Sequence, residues 1–218
     1  MVWKYEVVTQ NLPFLFSGVK MTVAVSLVSL VFGLVIGLFV AVLRLSSLRS
    51  LQFLSGVYVD LLRSTPLLAQ LIWVYFVLPI LIGHSLEPFV AAVLTLSLHS
   101  GAYLAEIYRA GILSIPGGQR AAGLSLGMTP GQALWRIVLP QAVTRMLPPI
   151  GSQFITLFKE SALVSLISLR ELMWQAQSLA AFTVRPLEVL TAAAVIYLVL
   201  TFPQALVVNY LHKKYLTH

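Results

Sequence analysis

Five polar side chains interrupt an apolar run between positions 152 and 160: Ser152, Gln153, Thr156, Lys159 and Glu160. On a helix turning about 100° per residue they share an arc of about 120°, and Phe154, Ile155, Leu157, Phe158 and Ala162 fill the rest. One cation, one carboxylate and a few hydrogen-bonding groups suit the holding of a small zwitterion, because a few placed polar groups fix a ligand's orientation. Lys159 and Glu160 are adjacent, so they diverge by about 100° and cannot form an ideal pair with each other. Either each charge pairs with another helix or the arc lines a substrate path; the residues alone leave both open. His99 and Ser100 lie near the middle of a second apolar run, where His99 is either a satisfied interior histidine or a ligand contact. Bond-breaking chemistry is not suggested. The sequence contains no G-x-x-x-x-G-K-[ST], no G-x-S-x-G and no H-E-x-x-H. It has no cysteine, and its four histidines are scattered. We therefore expect no catalytic residue, cofactor or metal in this chain, and any uphill work must draw on a partner or an ion gradient.

The elements that must carry these residues are membrane helices. The chain is 59% apolar and only 10% charged, against about 25% charged in soluble domains. Apolar runs long enough to cross a bilayer recur. The expected fold class is all-α: a single polytopic domain over 1–218 with spans at about 21–43, 57–82, 89–107, 142–169 and 187–211, and a polar loop at 108–141. The run Met21–Leu43 is too long for a signal peptide, and no small-residue cleavage site follows it. In the first span, Ser26, Ser29, Gly33, Gly37 and Ala41 form a small-residue stripe suited to close helix approach, either within the subunit or at a dimer seam. Two charge pairs are expected at helical spacing, Asp60 with Arg63 and Glu106 with Arg109. Pro79, Pro148, Pro149 and Pro203 are expected to end, interrupt or kink their spans. Arg44, Arg49, Arg109, Arg120, Arg136, Arg145, Lys213 and Lys214 fall on one side and outnumber Lys4, Lys20, Arg170 and Arg185 on the other. By the positive-inside bias the N-terminus is outside, and both the polar loop and the C-terminus are cytoplasmic. The same bias accounts for the net charge of +7 without nucleic acid.

The loop has an organisation of its own. Gln119–Leu126 can form a short helix, with Gly127 where a left-handed helix end is expected. Thr129-Pro130-Gly131-Gln132 reads as a helix start: Thr129 as N-cap, Pro130 at the first helical position and Gln132 closing a capping box. A second helix over about Pro130–Leu139 follows, and Pro140 closes it or bends it into the fourth span. Two short helices at a tight corner make a knob that can enter a groove on another protein. A hairpin lying on the lipid surface is the alternative.

Gly127, nine residues, then Ile137-Val138-Leu139-Pro140 is similar to the G-x9-I-x-L-P half of the EAA signature of ABC-importer permeases. Arg63-Ser64-Thr65-Pro66-Leu67-Leu68, Ala102–Ile112, Gly118-Gln119 and Lys159–Ser165 resemble the polar-amino-acid branch of that family. The likeness covers nearly the whole chain. It implies a five-span permease subunit of a type I importer in the bacterial cytoplasmic membrane, paired as a homodimer or heterodimer. It also implies two cytoplasmic ATPase subunits carrying ATP and Mg, a substrate-binding protein on the outer face, and alternating access for a polar or charged amino acid. By matching position, Gln119, Arg120, Ala121, Ala122, Gly123, Gly127, Met128, Thr129, Ile137, Leu139 and Pro140 would form the ATPase-coupling element. Ser152, Gln153, Thr156, Lys159 and Glu160, with His99 and Ser100, would line the substrate path. One departure stands out: the signature's Glu-Ala-Ala falls on Ala121-Ala122-Gly123. The competing expectation is a gradient-driven carrier or channel using the Lys159/Glu160 arc without an ATPase; an inverted repeat would favour it, and none is visible.

Overall fold

In the computed structural model, which describes residues 3–216, every regular element is helical. A short α1 (Tyr5–Gln10) leads into α2 (Leu12–Arg44), a helix of 33 residues. It begins before the expected 21, because Pro13 sits in the first turn, where its missing N–H costs nothing. The small-residue stripe of α2 turns inward onto α6 (Pro88–Leu113). A Cβ on Gly37 would lie 2.7 Å from Leu104 Cβ and 3.0 Å from the Gly101 carbonyl oxygen, and one on Gly33 would strike the Ser100 hydroxyl. The stripe therefore serves packing within the subunit.

The second span departs most from expectation. It is two helical segments, α3 (Arg49–Ser64) and Leu67–Ile82, bent by 104°. The cause is Pro66. The residue before a proline is pushed out of the α region, and Thr65 is extended at φ −108°, ψ 141°. The later segment comprises α4 (Leu67–Ile72), a π-helical turn (Trp73–Val77) and α5 (Leu78–Ile82). A second π turn, Leu134–Val138, lies between α8 (Pro130–Ala133) and α9 (Leu139–Glu160), downstream of α7 (Gly117–Ser125). Each π turn ends two residues before a proline, Pro79 or Pro140. A proline ring clashes with the carbonyl four residues back. The wider turn moves that carbonyl aside, and Leu78 and Leu139 donate instead to Trp73 and Leu134, five residues back. Of the expected alternatives, ending or bending, neither proline ends its helix: each follows a π turn within a continuing one, and Pro148, Pro149 and Pro203 also sit inside continuous helices.

The fourth span ends its α-helix at Glu160 and continues as a 3₁₀ segment, Ser161–Ile167. The interval 170–186, left outside any span by the sequence pattern, holds α10 (Leu172–Thr183); α11 (Pro186–Leu216) completes the chain. Glu171 caps α10, accepting from Trp174 N at 2.7 Å and Met173 N at 2.9 Å. Its carboxylate also accepts the Tyr197 hydroxyl at 2.8 Å, and Thr22 accepts from Leu172 N at 3.1 Å. Glu171 is fully buried and ties α2, α10 and α11 together. By length and composition four helices can cross a membrane, or five if the bent pair is one span.

Candidate coupling corner and translocation path

The loop folds as a closed corner. Gly127 takes φ +81°. Met128 N donates to Gly123 O at 3.1 Å and Gly127 N to Leu124 O at 3.0 Å, the paired bonds of a Schellman end. Gln132 N then donates to Thr129 Oγ1 at 3.3 Å, and Thr129 N donates back to Gln132 Oε1 at 2.9 Å, completing the capping box. Gln119, Arg120, Ala121, Ala122 and Thr129 are exposed, and Met128, Ile137 and Leu139 are half-buried. Leu126 is 80% and Trp135 73% exposed, so the corner presents apolar surface outward.

Gly123 is the buried member of the corner. A Cβ there would sit 2.6 Å from Ile137 Cδ1 and 3.5 Å from Ala133 Cβ. The glycine at the signature's final alanine position therefore makes room for Ile137. Ala121, at the glutamate position, is on the exposed face.

The arc on α9 divides in the fold. Ser152, Thr156 and Lys159 point out of the subunit, whereas Gln153 is buried. Glu160 is half-buried, and its Oε2 has no hydrogen-bond partner among the described residues. Neither charge enters an ion pair there; the pairs are Arg44–Glu106, Arg109–Glu106 at 3.0 Å, and Arg185–Glu188 at 3.2 Å. The Glu106–Arg109 pair thus forms as expected and gains Arg44. The Asp60–Arg63 pair does not form: Arg63 instead lies over the Tyr103 ring, 5.2 Å from its centroid.

His99 and Ser100 have other surroundings. His99 Nδ1 is 3.1 Å from Gln70 Oε1, and its ring is 5.1 Å from that of Tyr103. Gln70 in turn donates to Leu62 O at 2.8 Å and Thr65 Oγ1 at 2.7 Å, across the bend. The described contacts of His99 include no arc residue. Ser100 is fully buried against Gly33 and is a packing residue of the α2–α6 contact. Gln70 was not marked by sequence reasoning; a glutamine beyond a Ser-Thr-Pro break was the available signal. Glu171 was missed as well: its capping bonds to Met173 and Trp174 are local, but its partners Thr22 and Tyr197 are remote in sequence.

Comparison with known proteins fits this geometry. A family model described as a binding-protein-dependent transport system inner membrane component matches residues 33–217. The glutamine transport system permease protein GlnP of Escherichia coli (strain K12) is 36% identical over 215 residues, covering 98% of each chain. The arginine transport system permease protein ArtQ of Bacillus subtilis (strain 168) is 40% identical, covering 87% of each. The crystal structure of an amino acid ABC transporter with histidines superposes with a TM-score of 0.93 at 34% identity, covering 98% of this chain and 100% of that one. The inward-facing MetNI methionine ABC transporter, at 24% identity and TM-score 0.79, shares the fold. The chain belongs to the family of binding-protein-dependent transport system inner membrane components.

Proposed function

We propose that the chain is a permease subunit of an ATP-driven ABC importer, forming the translocation path for a polar or charged amino acid by alternating access. The observation that carries this is the exposed corner at Gly123–Thr129, rigid on both sides and continuous through a π turn with the helix bearing the polar arc. A push on such a corner reaches α9 without passing through a loose joint. Relatives matching almost the whole chain are permease proteins of glutamine and arginine transport systems, which supports a polar amino acid as cargo. None of the similar proteins named above favours a gradient-driven carrier.

In this reading two cytoplasmic ATPase subunits, holding ATP and Mg, bind Gln119–Pro140. A second permease subunit faces the outward side of the α9 arc, so Ser152, Thr156 and Lys159 look into the shared path rather than into lipid. A binding protein delivers substrate at the outer face, where the N-terminus lies; the C-terminus is cytoplasmic. Glu160 supplies a carboxylate for the ammonium group of the amino acid and Lys159 a cation for its carboxylate. Gln153 and His99 belong to the path in this reading, with His99 held by Gln70 rather than by an arc residue. The chain itself hydrolyses nothing. The test is uptake in cells lacking the partner ATPase and in cells treated with an uncoupler. Uptake lost in the first and kept in the second is expected. Uptake that survives ATPase removal and collapses with the uncoupler overturns the reading in favour of a gradient-driven carrier.

A further inference from the structure

A cleft of about 690 Å³ lies away from the α9 arc. It opens between the final turns of α6, the first turns of α9 and the end of α11, and its wall includes Ile107, Ala110, Ser114, Pro149 and Tyr215. Arg63 and Arg145 also line it, and neither forms an ion pair among the described residues. Arg145 Nη1 donates to Ser114 O at 2.7 Å and to Ser114 Oγ at 3.3 Å. That anchors the guanidinium while leaving most of its five N–H donors unused. The one carboxylate on the wall, Glu106, is already held by Arg44 and Arg109. The cleft is thus basic without an available acid, and Lys213 and Lys214 precede Tyr215 in the chain.

This charge pattern selects among anions. A zwitterionic amino acid would need a carboxylate for its ammonium group, and Glu106 has none to spare. A phosphodiester needs only cations, and guanidinium groups match phosphate oxygens in a two-pronged geometry. The apolar part of the wall suits the start of an acyl or glycerol chain. Basic pockets between membrane helices on the cytoplasmic side are of the kind that bind anionic headgroups. We propose that this cleft holds the phosphate of an anionic phospholipid of the cytoplasmic leaflet, gripped by Arg145 and Arg63. The proposal rests on the orientation given above, in which these helix ends lie at the cytoplasmic face.

The test uses the full-length chain, purified in detergent with the subunits that accompany it. Native mass spectrometry measures retained phosphatidylglycerol against phosphatidylcholine, and thermal unfolding is followed with phosphatidylglycerol, inorganic phosphate or glutamine added. Preferential retention of phosphatidylglycerol is expected, with at least a tenfold loss in the Arg63→Gln/Arg145→Gln protein and most binding kept in Arg145→Lys. If Arg145→Gln does not assemble, Arg63→Gln alone decides, since Arg63 is exposed: full retention of phosphatidylglycerol in that variant overturns the proposal. Equal stabilisation by inorganic phosphate, or displacement of the lipid by glutamine, also overturns it by making the cleft a small-anion or amino-acid site. Because lipid retention is read without transport, its failure leaves the importer reading standing, and a failure of ATPase-dependent uptake leaves the lipid result intact.

Discussion

Glu160 combines two properties that rarely coincide: a carboxylate oxygen shielded from solvent and, among the described residues, no donor to satisfy it. Leaving such an atom unpartnered costs on the order of 1–3 kcal/mol, more for a charged group, so the position pays its way only if something else supplies the donor. In the proposed path the substrate's ammonium group would do so through a charge-assisted hydrogen bond, about 1.5–3 kcal/mol. At about 1.4 kcal/mol per tenfold, Glu160→Gln should therefore raise the KM for uptake at least tenfold. Glutamine keeps the shape, so insertion and assembly should be retained, as checked by the amount of intact complex purified. An unchanged KM and unchanged preference among amino acids would remove Glu160 from the path. Gly123 shows the opposite economy: its missing side chain is the space that Ile137 fills. Read as sequence, Gly123 is a weak point in a helix, costing roughly 0.5–1 kcal/mol relative to alanine. In the fold it lets the corner close on the π turn.

The corner was legible in the sequence because everything that makes it is local: Gly127 and its Schellman bonds, Thr129 with Gln132, and Pro130 at the first helical position lie within ten residues. The bend at Thr65-Pro66 was less so, since a proline near the start of an apolar run reads equally as a kink or a helix start. The π turns before Pro79 and Pro140 were hidden, because a widened turn leaves no compositional mark. Helix α10 was missed because its cap, Glu171, is completed by Thr22 and Tyr197 from distant segments. The local character of the corner also makes it testable. Gly127→Ala forces a side chain into the left-handed region, at about 1–2 kcal/mol, and Thr129→Ala removes a cap of about 1 kcal/mol. Both should loosen the corner while leaving the spans intact. The expected result is a permease that purifies in normal amount but carries less ATPase and shows weaker substrate-stimulated ATP hydrolysis. Normal stimulation in both variants would separate the corner from coupling.

The α2–α6 contact is the spine against which the other elements are placed. Gly33 and Gly37 from α2 and Gly101 from α6 bring the two backbones together, and Tyr58 from α3 reaches Leu98 O at 2.7 Å across the same region. Val40, Val59 and Ala105 close one side, and Arg44 with Glu106 locks the end. With no hydrophobic driving force between helices in lipid, close packing and hydrogen bonds hold such a spine together. Because the small-residue stripe is internal, α2 would not offer these glycines to the second permease subunit proposed above. The spine also predicts an order among substitutions. A methyl at Gly33 meets the Ser100 hydroxyl, the movable end of a side chain. A methyl at Gly37 meets the Gly101 carbonyl oxygen at 3.0 Å and Ala105 N at 3.1 Å, both backbone atoms that cannot turn aside. Overpacking costs about 1–3 kcal/mol, and the immovable site should take the larger share. Gly37→Ala is thus expected to lower the unfolding temperature of the detergent-purified protein more than Gly33→Ala, with Gly33→Ala relieved by adding Ser100→Ala and Gly37→Ala not relieved by it. Equal losses in the two single variants, or rescue of Gly37→Ala by Ser100→Ala, would mean the two helices can separate and that the spine lies elsewhere.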